Sequence, residues 1–148
     1  YLLQDLCAIR QCAEKPLTVC VIPRAKVESS YARHQRLFKA LIKTVVKRID
    51  GLQNGVDYIK RTTNTYTTHR GSFDGGGDGL KPYPGITLRT CDISDDVKGK
   101  DILLIDDIYT GGVNIDEDAI EALLKKGARS VIFYAVGRTI YRRDLLTL

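Results

Sequence analysis

Methionine is absent from all 148 residues. A chain without an initiator residue reads as a fragment or processed piece, with any upstream segment out of view. Long apolar runs are also missing. None approaches the ~20 residues that a membrane-spanning helix needs, so no membrane association is expected. The opening "YLLQDLCAIRQCAEK" has neither a basic n-region nor a separate apolar core, so a secretory leader is not expected. Cysteine is sparse. Cys7, Cys12, Cys20 and Cys91 form no C-x-x-C pair, and His34 and His69 complete no metal-ligand spacing. Reduced structural thiols and a cytoplasmic location are the expectation, with Cys20 packed inside an apolar run. Basic runs of five or six are lacking too. The net charge of +5, from 23 Lys+Arg against 18 Asp+Glu, favours an anionic partner. A polyphosphate and a nucleic acid both fit that charge, but no nucleic-acid patch is specifically indicated. Neither a Walker loop nor a G-x-G-x-x-G dinucleotide fingerprint is present.

What remains is a chain with 43% hydrophobic and 28% charged residues, suited to a single domain over residues 1–148. Leu2, Leu3, Leu6, Ile9 and Ala13 recur at helical spacing, predicting a helix over about 1–14 that Pro16 ends. "LTVCVI" (17–22) reads as a buried strand. A loop, "PRAKVESSYARH", leads into a helix whose apolar face runs from Leu37 to Ile49 and which Gly51 closes. "VDYIK" (56–60) is predicted as the second strand and "ITLRT" (86–90) as a returning one. Between them, residues 61–85 are rich in Thr, Gly and Asp, and a loop of this length inside a compact domain is usually functional or disordered. A flexible hairpin is expected there, with "DGGGDG" as its turn or as a gap in order. "DILLIDD" is a strong buried strand. A helix then runs from Asn114 to Gly127, with Asn114 as its cap, Glu117 in capping-box position and Gly127 after its last turn. "SVIFYAV" (130–136) is a further apolar strand. All-apolar strands alternating with helices imply an α/β fold: a three-layer, Rossmann-like, mostly parallel sheet with helices on both faces. Ligands of such sheets bind outside the carboxyl ends of the strands, where loops 23–30, 61–85 and 106–114 arise.

"ILLIDDIYTGGVN" (102–114) concentrates the chemistry. Adjacent Asp106 and Asp107 repel one another, and burying either is costly. The "TGGVN" that follows leads into a helix N-terminus, where free N–H groups and the helix dipole suit an anion. Gly111 and Gly112 let the backbone approach a ligand, and Thr110 adds a hydroxyl donor, so the loop reads as a phosphate cradle. Carboxylates beside such a cradle accept hydrogen bonds from sugar hydroxyls or hold a divalent cation bridging to the ligand. The combination points to a phosphorylated sugar.

This stretch resembles the phosphoribosyl-pyrophosphate (PRPP) motif of the type I phosphoribosyltransferases. The resemblance extends through "VIPRAK", the long loop and "SVIFYAVGRT", over about residues 17–140. "YARHQRLFKAL" and "YIKRTTNTYTTHR" further resemble the ComF-like, amidophosphoribosyltransferase-related group. The resemblance implies the type I fold and a Mg²⁺-dependent pentosyltransferase. That enzyme moves the phosphoribosyl group of PRPP to a nucleobase or amine and releases pyrophosphate. It implies that Asp106 and Asp107 hold the ribose hydroxyls with Mg²⁺ nearby. Thr110, Gly111, Gly112, Val113 and Asn114 would wrap the 5′-phosphate, and Arg24, Ala25 and Lys26 would contact pyrophosphate. Arg70 would swing in from the lid, residues 61–85. The family pattern has a threonine hydroxyl where this chain has Asn114, whose amide also donates to phosphate. Family members are commonly dimers, so a homodimer fits. The hood that covers the acceptor in the family is reduced or missing here, and the acceptor is not readable. A non-catalytic PRPP- or nucleotide-binding regulatory domain, or a fragment of a larger protein, is the alternative. Taken alone, Arg24 and Lys26 also read as solvated loop charges.

Overall fold

β1 (Leu17–Val21) is buried along its whole length because it has a parallel strand on each side and helices over both faces. A computed structural model describes residues 1–65, 85–110 and 114–139. Its main sheet has the order β2-β1-β5-β6, with β2 at Leu52–Asn54, β5 at Asp101–Tyr109 and β6 at Ser130–Arg138. Every pairing in it is parallel. Three helices accompany the sheet: α1 (Leu2–Cys12), α2 (Leu37–Val46) and α3 (Ile115–Lys126).

Strand alternation sorts the core into two halves. Leu103 and Ile105 of β5 join Val19 and Val21 of β1, Leu6 of α1 and Ile42, Val45 and Val46 of α2. Ile102 and Leu104 face the other way, onto Ala119, Ala122 and Leu123 of α3. The β1–α2–β2 crossover moves outward in one direction and β5–α3–β6 in the other. Right-handed connections of opposite direction must place their helices on opposite faces. The expected three-layer α/β architecture is therefore present. All four cysteines are free thiols, and burial pushes Cys20 up to about 12.

Two strands differ from the sequence expectation. The second parallel strand is Leu52–Asn54, not 56–60. Most of the predicted segment is a turn, and its end forms β3 (Ile59–Arg61), which pairs antiparallel with β4 (Cys91–Ile93) in a separate two-stranded sheet. Residues 86–90 are not a strand. The Thr87 and Thr90 hydroxyls bond to each other, at 3.2 Å, and to nearby backbone groups, so the chain turns before β4 begins. The β3–β4 ladder brackets the long segment in which a hairpin is expected. Residues 66–84, which include Arg70 and "DGGGDG", lie outside the described residues.

α2 stops at Val46 rather than at Gly51, and Ile49 stays on the core through the turn that follows. Gly51 serves that turn. It has φ +81°, its carbonyl accepts the Leu17 N–H at 3.0 Å, and a Cβ there would lie 2.0 Å from Arg10 Nε. Gly51→Ala is expected to cost about 1–2 kcal/mol of stability, through the left-handed backbone and displacement of Arg10. Urea unfolding of the two proteins checks this.

Candidate functional site

The strand order reverses direction between β1 and β5, so the crevice at the carboxyl end of this pair is where such sheets bind ligands. β1 pairs with β5 only as far as Val21 and Ile105, and the Ile22 N–H reaches the Ile105 carbonyl at 3.0 Å. β5 continues to Tyr109 against β6, with Asp106 opposite Ala135 and Ile108 opposite Gly137. Asp106 is therefore the first residue of β5 to outrun its neighbour. The aspartates lie within the strand, not in the loop beyond it.

Strand alternation sends Asp106 toward α3 and Asp107 toward the α2 side. The carboxyl that meets Asp106 is Asp116, in the first turn of α3 and 4% exposed. One of its oxygens, Oδ1, is buried without a partner. Burial, with Asp116 and Asp107 adding repulsion, pushes the Asp106 carboxyl well above the usual range; the Asp107 N–H, 2.8 Å from Asp106 Oδ1, opposes this only partly. Burial also raises Asp116; a hydrogen bond with Asp106 opposes this, while Glu117 and Asp107 push it further up. Among the described residues, no Lys or Arg forms an ion pair with Asp106, Asp107 or Asp116. Sequence reasoning passed over Asp116. The available signal was an acid at the second position of the helix that follows the acidic strand, where it packs back against the strand end.

The rest of the predicted cradle is only partly described. The Thr110 hydroxyl lies 3.2 Å from that of Thr139. Gly111, Gly112 and Val113 lie outside the described residues. Asn114 occupies the cap position of α3 in a left-handed conformation, φ 54°, and its side chain makes no cap hydrogen bond. The expected capping box is thus not formed, and Glu117 instead accepts from the Tyr109 hydroxyl at 3.4 Å. Its first turn carries Asp116, Glu117 and Asp118, which complement the helix dipole.

Across the crevice, Arg24, Ala25 and Lys26 follow β1. The Arg24 guanidinium lies over the Tyr31 ring, 5.2 Å from its centroid, and donates to the Gln35 carbonyl at 3.0 Å. The Lys26 N–H donates to the Tyr31 hydroxyl at 2.9 Å. The Ala25 carbonyl accepts from the Thr65 backbone N–H at 2.7 Å and from its hydroxyl at 3.2 Å. The site is thus polarised, with carboxyls on β5 and α3 and cations on the loop after β1. Among the described residues, no group of three or more His, Cys, Asp or Glu side chains is arranged to hold a metal ion. A magnesium ion held by one or two carboxylates and ligand oxygens needs no such group. Carboxyls with no cationic partner among the described residues, one of them orphaned at Oδ1, suit that donor set.

A carboxyl that holds its proton more tightly in the folded than in the unfolded chain makes stability fall as pH rises above the ordinary carboxylate range. Asp106→Asn removes that burden. It is expected to raise stability by about 1 kcal/mol at pH 8 and to change it little at pH 4. Thermal unfolding at the two pH values checks the difference.

No family model matches the chain, and no curated protein matches it. Two similar solved structures are crystal forms of a hypoxanthine phosphoribosyltransferase from Staphylococcus aureus. The orthorhombic form is 16% identical, with 94% of this chain and 69% of that one covered at a TM-score of 0.47. The tetragonal form is 17% identical, with 93% and 68% covered at a TM-score of 0.48.

Proposed function

We propose that this chain binds PRPP with Mg²⁺ and transfers its phosphoribosyl group to a nucleobase or amine, releasing pyrophosphate. The observation that carries the reading is the switch point itself: Asp106 and Asp107 lie where β5 outruns β1, and the Arg24–Lys26 loop leaves the carboxyl end of β1 beside it. The carboxyl side suits ribose hydroxyls, which donate to carboxylates, and the cationic side suits pyrophosphate. Thr110, Asn114 and the intervening 111–113 are assigned to the 5′-phosphate on the strength of the sequence motif.

In the transfer, the bond from C1 of ribose to the pyrophosphate oxygen breaks with its electron pair leaving on pyrophosphate. The acceptor nitrogen bonds to C1 and loses its proton to solvent. Positive charge develops on the sugar ring, beside Asp106 and Asp107, and negative charge on the leaving group, beside Arg24 and Lys26. Bound Mg²⁺, held by Asp106 or Asp107 with ligand oxygens, would neutralise part of the leaving-group charge. Arg70 is assigned to the same charge from the lid.

Calorimetric titration of PRPP with Mg²⁺ tests the reading. Wild-type protein is expected to bind, and Asp106→Asn/Asp107→Asn to bind at least tenfold more weakly. Absence of binding by folded wild-type protein overturns it. The second reading is a non-catalytic PRPP- or nucleotide-binding domain, which needs the phosphate-binding loop but not a competent lid. Arg70→Ala separates the two. A transferase is expected to lose 100-fold or more in turnover with little change in PRPP affinity, whereas a binding domain shows no turnover in either protein.

A further inference from the structure

Arg61 ends β3 and shares a strand face with Ile59, an apolar position by alternation. It is 7% exposed, and no carboxylate pairs with it among the described residues. Its guanidinium is spent on backbone. Nε donates to the Arg24 carbonyl at 3.1 Å, and Nη1 donates to the Gly85 carbonyl. Arg24 opens the cationic loop after β1. Gly85 lies on the other side of the crevice, where its N–H donates to Asp118 of α3 at 2.7 Å and its carbonyl also accepts the Thr90 hydroxyl at 3.0 Å. One buried cation thus ties the loop after β1 to the segment anchored on α3.

The neighbouring residues continue the clamp. The Asn64 side chain accepts the Val27 N–H at 2.9 Å, and Thr65, 1% exposed, holds the Ala25 carbonyl. Residues 24, 25 and 27 are thereby each tied to 61, 65 and 64. A buried guanidinium carries a large desolvation cost, and the burial lowers the Arg61 pKa. An apolar residue would fill that strand position without the cost. What the arginine adds is a planar fork that fixes two carbonyls at once, which a lysine ammonium cannot reproduce.

We propose that Arg61 is a positioning residue for anion binding: by fixing the Arg24 and Gly85 carbonyls it holds the 24–27 loop in the conformation that receives pyrophosphate. The assignment rests on the reading of the crevice as a PRPP site. Arg61 itself touches no ligand, so its loss acts on the pyrophosphate end and spares the ribose 5-phosphate end.

The test is calorimetric titration of magnesium pyrophosphate and, separately, ribose 5-phosphate into wild-type, Arg61→Lys and Asn64→Ala proteins, with urea unfolding of each. Arg61→Lys is expected to weaken pyrophosphate about tenfold and leave ribose 5-phosphate within twofold. Asn64→Ala removes an exposed part of the same clamp and is expected to weaken pyrophosphate about threefold with the same selectivity. It decides the matter alone if Arg61→Lys does not fold. Unchanged pyrophosphate affinity, or equal loss of both ligands, overturns the positioning role while leaving the PRPP reading in place. Wild-type protein that binds neither ligand overturns both.

Discussion

The carboxyl end of the sheet depends on a mismatch in strand length. β1 gives up its pairing at Val21, while β5 runs on to Tyr109 supported from the β6 side. Asp106 and Asp107 fall in that overhang, where a backbone flank of β5 is no longer covered by β1. The same overhang brings Asp106 against the first turn of α3, because the helix must return from the end of the strand to cover its face. The raised carboxyls of Asp106 and Asp116 are thus a direct result of chain geometry.

The opposite wall is built on a different principle. Its loop after β1 is held by hydrogen bonds from residues 61–65, and the principal donor is a buried arginine whose charge meets backbone oxygens. One wall therefore packs two carboxyls whose burial and proximity favour their protonated forms, and the other is a fastened loop. On the proposed reading, PRPP with Mg²⁺ would relieve the first and use the second, and stability and ligand affinity would then pull apart at Asp106.

Much of this was legible in the chain. β1, β5 and the three α-helices were readable because each buries an apolar run or face, whereas β6 was readable from its apolar composition alone, since it lies half-exposed at the edge of the described sheet. β2 was missed because "LQN" is short and half-buried, and an edge strand of that kind has no apolar run. The 86–90 segment looked like a strand by composition, yet Thr87 and Thr90 spend their hydroxyls locally. At the site, Asp106, Asp107 and the Arg24–Lys26 loop were visible from their places after apolar strands. Asp116 and Arg61 were not, since each acts through a partner distant in sequence. Arg61 did leave a trace: it sits one residue past the predicted strand, in phase with a buried isoleucine.

The register of the central pair has a kinetic side. Pairing Leu17 with Asp101 joins the first strand to one far along the chain, with α2, β2, both small-sheet strands and the long loop between them. Closing so large a loop costs entropy before any contact compensates it, which places this pairing among the slow events of folding. Both walls of the crevice hang from that one pairing. Local helices and the β1–α2–β2 unit can form early without creating any part of a two-sided site. The crevice is therefore expected to take shape in a late step of refolding, after most of the helical signal has returned.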